Sequence, residues 1–318
     1  MKRHTQRGAA LLLAMMIVAL VVTTAAGMVW LQARAVQIEA AERARTQAGW
    51  ILGGALDWAR LILREDQRAS QQSGSNRDSL DEPWATPLAE ARLSSFLATD
   101  KDNNADSGPE AFISGSISDA QARFNLRSLV DGSGKPLPLQ VKALQRLADL
   151  AGAPGDTADL IAQALGQATA AIATQAADAP LKPAQLADLA WLGVSPATIG
   201  RLAPWVDLLP LPTPINANTA SREVLVAAID GLDLGTAERL VQARQRDPFK
   251  NLAQLQALLP PAATADPGRV AVNSSWFHVS GRLRLDERVL EERSLLQREE
   301  NRVIVRHRER HSFTTGQR

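Results

Sequence analysis

Oxygen-bearing side chains alternate in one stretch of the sequence, DKDNNADSGPE, with a spacing that can bind calcium. The four candidate ligands are Asp100, Asp102, Asn104 and Asp106. However, Ala105 replaces the glycine that a calcium loop needs for its sharp turn, and Ala111 stands where its bidentate glutamate belongs. We therefore expect a solvated surface loop here, since Asn, Asp, Ser and Gly are turn-forming residues. Calcium stays an open alternative.

Other constellations that could perform catalysis are missing from the sequence. The chain has no cysteine, which excludes thiol nucleophiles, thiolate metal sites and disulfides. Of the 4 histidines, one precedes a long apolar run and the others lie in or beside arginine-rich segments near the C-terminus. There is no zinc-protease, serine-hydrolase or phosphate-loop motif. We expect no enzymatic activity and no required cofactor.

Two segments have the pattern of helix-hairpin-helix units, which bind nucleic-acid phosphates in other proteins. In the second, helical stretches flank Gly231–Gly235, and a further pair flanks Asp247-Pro248. An earlier segment has a turn at Gly193 and a predicted helix cap at Ser195. Between residues 222 and 250 there are five basic and five acidic residues, so no net charge favours DNA. Helical packing is the better prediction, and a membrane-anchored DNA-binding protein of a DNA-uptake or type IV pilus system is the alternative.

A long apolar segment near the N-terminus predicts a membrane anchor. No charged residue occurs from Ala9 to Ala33, a run of 25 residues. As a helix this run is roughly 37 Å long, more than the ~30 Å of bilayer hydrocarbon. No proline follows until Pro83, so we predict one helix from about Ala9 to about Asp66. The basic residues before the run predict a cytoplasmic N-terminus and a chain that lies mostly outside.

The remaining chain predicts an α+β fold. Residues Phe112–Ile117 have the composition of a short strand, and Ser118-Asp119 that of a turn or helix cap. Residues 137–210 are mostly helical in pattern. Alternating segments at Phe277–Leu285 and around residues 303–305 predict antiparallel strands with a turn near 299–301, and residues 312–318 a disordered tail.

The start of the chain resembles the leader of type IV pilins and pseudopilins. A short basic stretch ends in Gly8, and a long apolar helix follows directly. The resemblance implies that a prepilin peptidase cuts between Gly8 and Ala9, and that Ala9 becomes the N-methylated terminus. Most members of this family carry a glutamate at the fifth mature position, which here is Leu13. The K-type minor pseudopilins of type II secretion systems are known for lacking that glutamate.

Two further segments are similar to the K-type family. SDAQARFNLRSL resembles its asparagine-containing segment, with Asn125 matching and Arg127 where a second asparagine is common. INANTASREVLVAAI matches the family closely and contributes Asn216, Asn218 and Thr219. We expect these residues to cap and turn the backbone, with Asn218 or Thr219 capping a helix that begins near Ala220 and Glu223 closing a capping box. The acidic segment that binds calcium in some relatives is not evident before Pro180.

The resemblance implies a pseudopilin fold with a long N-terminal transmembrane helix, an antiparallel sheet and a large inserted helical domain. The expected boundaries are a leader at 1–8, a transmembrane part at 9–33, the first part of the pseudopilin domain at 34–134, the insert at 135–265, C-terminal strands at 266–311 and the tail at 312–318. The implied role is to cap the pseudopilus tip and help start its assembly for the export of folded proteins.

Partners and location are also implied by the resemblance. The expected partners are the I-type and J-type minor pseudopilins, the major pseudopilin filament, the prepilin peptidase and the inner-membrane assembly platform. The expected location is the bacterial inner membrane, crossed once, with the C-terminal domain in the periplasm and no nucleic acid bound.

Overall fold

The computed structural model describes residues 7–93, 111–173, 181–285, 288–300 and 302–314. The chain divides into two compact units, with the boundary between Gly54 and Ala55 inside the first helix.

The first helix, α1, runs from Arg7 to Ser73. It extends beyond the predicted end near Asp66 because no helix-breaking residue occurs until Gly74, whose φ of +67° is a left-handed conformation that ends helices. Within the described chain, it is the one helix long and apolar enough to cross a membrane. Its large apolar side chains between Leu11 and Leu31 are all exposed, as contact with lipid requires.

The second unit contains a five-stranded antiparallel sheet. Its strands follow the order β1-β2-β7-β8-β9. Their bounds are β1 Leu88–Arg92, β2 Ala111–Asp119, β7 Trp276–Leu285, β8 Arg288–Glu299 and β9 Arg302–Thr314. Each consecutive pair in the sheet is antiparallel, as the sequence predicts.

The last part of α1 covers the sheet. Its buried Leu56, Ala59 and Leu63 belong to one apolar cluster with residues of β7, β8 and β9. At the centre of this cluster Trp84 meets Phe277 edge to face, with ring centroids 5.2 Å apart. Burial of these large side chains is the main contribution that holds helix and sheet together.

Strand β8 is missing from the sequence-based prediction. Its burial does not alternate, because Glu291 and Glu292 are both buried and a bulge shifts the register with β9 between Leu295 and Leu296. A strand without period-two alternation has no pattern to detect. The turn near residues 299–301 lies as predicted between β8 and β9. The prediction of a tail from Ser312 is wrong for its first residues, since β9 continues to Thr314.

A helical unit is inserted between β2 and β7. Its α-helices are α2 Pro138–Leu150, α3 Thr157–Ala173, α4 Pro196–Leu202, α5 Arg222–Ala228, α6 Leu234–Arg246 and α7 Leu252–Gln256. Two pairs of two-residue parallel strands brace it, β3 Phe124–Asn125 with β4 Val206–Asp207 and β5 Ile215–Asn216 with β6 Val270–Ala271.

The helical unit covers a longer stretch of sequence than the insert predicted at 135–265. Its apolar core begins at Phe124 and ends at Val272. The short strands explain the difference, because β3 and β6 pair with β4 and β5 from inside the unit. Pairs of such short strands leave no recognisable pattern in sequence.

Candidate functional site: the N-terminal helix and a buried polar junction

The predicted processing positions lie in the first turns of α1. Gly8 and Ala9 are both helical, and Leu13 follows one turn later with its side chain 59% exposed. This part of the helix has no charged side chain from Ala9 to Ala33. Cleavage and methylation here stay predictions.

A buried polar junction joins the sheet, the helical unit and the segment after α1. At its centre is Asp119, the last residue of β2. Its Oδ2 accepts hydrogen bonds from Thr219 Oγ1 at 2.6 Å, Ser274 Oγ at 2.6 Å and Asn216 Nδ2 at 2.9 Å. Its Oδ1 accepts from the backbone N of Gln121 at 2.7 Å, which is the cap predicted at Ser118-Asp119. One carboxylate thus connects three segments far apart in sequence.

Asn216 and Asn218 tie the helical unit to this junction. The amide of Asn216 also donates to Asp78 O at 3.0 Å, and its Oδ1 accepts from Asn218 N at 2.9 Å. Asn218 Nδ2 donates to Phe249 O at 2.9 Å, and its Oδ1 accepts from Phe249 N at 2.8 Å. Both side chains are almost fully buried, so each is needed to satisfy backbone groups that water cannot reach.

The predicted cap of the following helix is wrong. Helix α5 begins at Arg222, and its N-cap is Ser221, whose Oγ accepts from Val224 N at 3.4 Å. Glu223 closes no capping box and pairs with Arg222 instead, at 2.8 Å. Thr219 is not free to cap because its hydroxyl already donates to Asp119. The motif predicted Asn218 or Thr219 as the cap, but Asn218 is bonded to Phe249 and Thr219 to Asp119, and Ser221 is the N-cap instead.

Asn125 holds β3 against the loop that follows β4. Its Oδ1 accepts from Arg127 N at 2.9 Å and from Leu209 N at 3.1 Å, and its Nδ2 donates to Leu211 O at 2.7 Å. The expected role of capping and turning the backbone therefore describes its contacts. Arg127 is itself buried, with Nη2 donating to Pro183 O at 2.9 Å.

A buried arginine completes the junction. Arg298 of β8 donates to Asp78 Oδ2 at 2.6 Å and to Asp66 Oδ2 at 3.0 Å, and its guanidinium lies 4.9 Å from the ring centroid of Phe277. Asp78 Oδ2 also accepts from Ser274 N at 2.7 Å. Such a pair is costly to break, because removal of one partner leaves a charge buried without compensation.

Burial alters the protonation of the carboxyl groups around the junction. Burial, with the neighbouring charge of Asp78, raises the pKa of Asp66 to about 6. Burial raises the pKa of Glu82 to about 7, although Trp84 donates a hydrogen bond to its carboxylate at 2.7 Å. Burial likewise raises the pKa of Asp119 to about 6 against its hydrogen-bond donors. The junction therefore gains protons as the pH falls from 7 toward 5.

The carboxylates of this junction do not fit a calcium ion. Asp66, Asp78 and Glu82 bring one oxygen each within 4.8 Å of one another. However, Arg298 already donates to both aspartates, and Glu82 Oε2 accepts from Trp84 Nε1 and from Ser79 N. The guanidinium occupies the place that a cation would take. The sequence-based calcium candidates, Asp100, Asp102, Asn104 and Asp106, lie outside the described residues, and calcium there stays a prediction.

The predicted helix-hairpin-helix arrangement is present, and its basic side chains make contacts within the chain. Helices α5 and α6 flank Gly231 (φ +80°), and helices α6 and α7 flank Asp247-Pro248, as predicted. Arg244 is buried and donates through Nη1 to Ala217 O, and burial lowers its pKa to about 10. Arg222 pairs with Glu223 and Glu238. Arg239 donates to Thr236 Oγ1 at 2.7 Å, so at least three of the five basic residues between 222 and 250 are engaged within the chain.

The earlier hairpin also forms, with one difference. Gly193 adopts φ +89°, Ser195 Oγ accepts from Thr198 N at 3.1 Å, and Pro196 begins α4, as predicted. The segment before the turn, Leu186–Leu192, is a 3-10 helix.

Sequence reasoning did not identify Asp78, Ser274 or Arg298 as part of the site. Their partners lie up to 220 positions away, as between Arg298 and Asp78. No local spacing signals such contacts. Asp119 was identified only as a cap, from its place after a strand.

Comparison with known proteins adds independent information. Two family models described as Type II secretion system (T2SS), protein K match residues 122–211 and 215–273. A protein of Pseudomonas aeruginosa called Type II secretion system protein K is 31% identical over 311 residues, covering 90% of this chain and 87% of that protein. A protein of the same description from Pectobacterium carotovorum is 28% identical, covering 98% and 99%.

A solved structure has a similar fold. It belongs to the crystal structure of the GspK-GspI-GspJ complex from the enterotoxigenic Escherichia coli Type 2 Secretion System. The TM-score is 0.62 at 20% identity, over 85% of this chain and 98% of that chain. The expected mixed fold, with an N-terminal apolar helix, an antiparallel sheet and several helices, is confirmed.

Proposed function

The chain belongs to the type II secretion system protein K family, and from this premise we propose that it caps the tip of the pseudopilus and helps to start pseudopilus assembly. As a member of this family it is a minor pseudopilin that serves type II secretion, anchored by one N-terminal helix. The family membership does not favour the alternative of a DNA-binding protein.

The observation that carries the capping proposal is the uncharged start of α1. Leu13 is an exposed apolar residue where a glutamate is usual in pseudopilins. A lone carboxylate in hydrocarbon is costly unless it is paired. By resemblance to the pseudopilin family, the glutamate of a filament subunit pairs with the terminal ammonium of the subunit above, and a subunit at the tip has no such neighbour. Leu13 therefore suits the uppermost position.

The inserted helical unit also supports a position at the tip of the filament. It is inserted between two adjacent strands and is held to the sheet by the junction around Asp119. We infer that this attached unit blocks the stacking of another subunit above it. The mechanism is mechanical: apolar helices leave lipid and pack against each other, and small residues such as Ala14 and Gly27 allow close approach.

We propose the I-type and J-type minor pseudopilins as direct partners, because the structurally similar chain comes from a complex that contains GspI and GspJ. The major pseudopilin, the prepilin peptidase and the inner-membrane assembly platform complete the proposed set. We propose that the second unit lies in the periplasm, because the basic residues before α1 favour a cytoplasmic N-terminus.

Processing is tested by mass spectrometry of the protein isolated from membranes with and without prepilin peptidase. We expect a mature chain that begins with N-methylated Ala9 when the peptidase is present and an uncut chain when it is missing. A Gly8→Leu variant should stay uncut in both. A mature chain that begins beyond Gly27 would show that the apolar helix is discarded, and would refute an anchored pseudopilin.

The capping role is tested by a Leu13→Glu variant, with Leu12→Glu as the matched control. Each change places one carboxylate near the end of the apolar run, at a cost below the roughly 2.5–3.5 kcal/mol of a charge at the helix centre. Only a glutamate at position 13 can pair with the terminal ammonium of a subunit above. In chains that also lack the helical unit (residues 123–273), so that it cannot block stacking, we expect cysteine cross-linking to detect a subunit above the Leu13→Glu variant alone. Equal cross-linking of both variants, or of neither, would contradict the proposed reason for capping.

A further inference from the structure

A cavity of about 370 Å³ lies in the helical unit, away from the junction described above. The loop after β3 forms one side and the proline-rich loop before β5 forms the other. Its walls include Val130, Leu137, Leu211 and Pro212 as apolar residues and Arg127 and Lys182 as cations.

Arg127 carries a charge in this wall that the described residues do not neutralise. Its side chain is buried, with the residue 6% exposed. Nη2 donates to Pro183 O at 2.9 Å and Nε to Leu209 O at 3.4 Å, while the buried Nη1 has no hydrogen-bond partner among the described residues. Burial lowers the pKa of Arg127. A buried cation whose donor is unused is costly and needs an anionic acceptor.

Lys182 adds a second positive charge to the same cavity. Its pKa is lowered by burial and by the charge of Arg127. Two like charges near one wall repel each other, and an anion between them would stabilise both. Asp131 also lines the cavity, but its Oδ1 is occupied by Ser133 N, Ser133 Oγ and Lys135 N. It is therefore engaged in its own turn.

We infer that this cavity binds a carboxylate carried on a short apolar stem, with the guanidinium of Arg127 and the ammonium of Lys182 as its cationic partners. The apolar walls accommodate the stem, and the cations lie in the same cavity. A carboxylate requires fewer donors than a phosphate, and the residues that line the cavity include one guanidinium and one ammonium. The inference does not depend on the proposed capping role.

The experiment titrates the full-length chain in a non-ionic detergent, at low ionic strength, by calorimetry. The probes are glutarate, the neutral analogue glutaramide, N-acetylglutamate amide and inorganic phosphate. Glutarate stands for a small carboxylate, and N-acetylglutamate amide stands for an acidic side chain of a protein. We expect glutarate or N-acetylglutamate amide to bind, glutaramide not to bind and phosphate to bind more weakly. The tighter of the two carboxylate probes identifies the source.

Two variants assign the binding to the cavity. Lys182→Gln should weaken carboxylate binding by about twofold to fivefold, as loss of an exposed charge does. Lys142→Gln removes an exposed lysine outside the cavity and should change nothing. Arg127→Gln should weaken binding at least about tenfold, because it removes the buried charge.

Because Arg127→Gln can also disturb folding, its thermal unfolding is measured beside the titration. If that variant does not fold, the inference is judged from the carboxylate affinity of Lys182→Gln and from the binding of glutaramide. The inference is overturned if neither carboxylate probe binds the unaltered chain, if glutaramide binds equally well or if phosphate binds more tightly. It is also overturned if Lys182→Gln, or a folded Arg127→Gln, leaves the affinity unchanged.

Discussion

Asp119 shows how a single buried carboxylate can organise distant parts of this chain. Its two oxygens accept four hydrogen bonds from residues of three segments. A buried polar group is tolerated only when its partners are present, so the junction specifies one arrangement of sheet and helical unit. The same burial raises the pKa values of Asp119, Asp66 and Glu82, which makes the stability of the unit depend on pH.

The pH dependence is testable at Glu82. Because its folded pKa of about 7 exceeds its ordinary value of 4.5, its contribution to stability is complete below pH 4.5 and is lost as the pH rises through 7. Both of its hydrogen bonds end on Oε2, so Glu82→Gln can keep them. We expect equal melting temperatures near pH 4.5, and a variant more stable by about 2–4 °C at pH 8, with about 1 kcal/mol assumed for a half-buried group.

Thermal unfolding by circular dichroism between pH 4.5 and pH 8 measures this difference. Glu300→Gln, at an exposed position, is the control and should follow the unaltered chain at every pH. A Glu82→Gln variant that is equally stable at pH 8, or less stable, would refute the raised pKa.

At the scale of elements, turn geometry decides where the hairpin helices meet. Gly231 separates α5 from α6 in a left-handed conformation, and an added Cβ would lie 3.1 Å from Ala262 O. Gly200 lies inside α4, with nothing within 4 Å of an added Cβ. The two glycines look alike in sequence, but only the first is required by backbone conformation.

Substitution by alanine should therefore have opposite effects at these two positions. We expect Gly231→Ala to destabilise the helical unit by about 1–3 kcal/mol, because it combines a strained φ with a close contact. We expect Gly200→Ala to stabilise it by about 0.5–1 kcal/mol, because alanine favours a helix. Thermal unfolding of both variants in the same detergent measures the difference. The same sign for both changes would contradict this assignment.

At the scale of the whole molecule, the helical unit begins and ends at neighbouring points of the sheet. Gln121 follows β2, and its Oε1 accepts from Ser275 N, just before β7, at 2.7 Å. The apolar cluster beneath the sheet contains no residue of the helical unit. The sheet and α1 therefore share one core without the helical unit, while Leu209 of that unit packs in a separate small cluster with Ala120, Trp276 and Leu295.

Removal of the helical unit should then leave the sheet folded if the cuts respect this geometry. We expect a chain that lacks 123–273, rejoined by a short Gly-Ser linker, to unfold cooperatively and keep its strand content. A chain that lacks only 135–265 should aggregate, because Phe124 and Val270 lose the core that they share with the helices. Circular dichroism and size-exclusion chromatography distinguish the two. Equal behaviour would show that the boundaries at 123 and 273 have no structural meaning.

The sequence by itself determined the features that depend on local chemistry. The uncharged run of 25 residues required a long apolar helix, and glycine and proline residues marked the turns of the helical hairpins. Only the tertiary structure decided the role of Asp119, the cap at Ser221, strand β8 and the limits of the helical unit. Each of these depends on partners more than 50 positions away or on an interrupted alternation, and hydrophobic periodicity contains no information about such contacts.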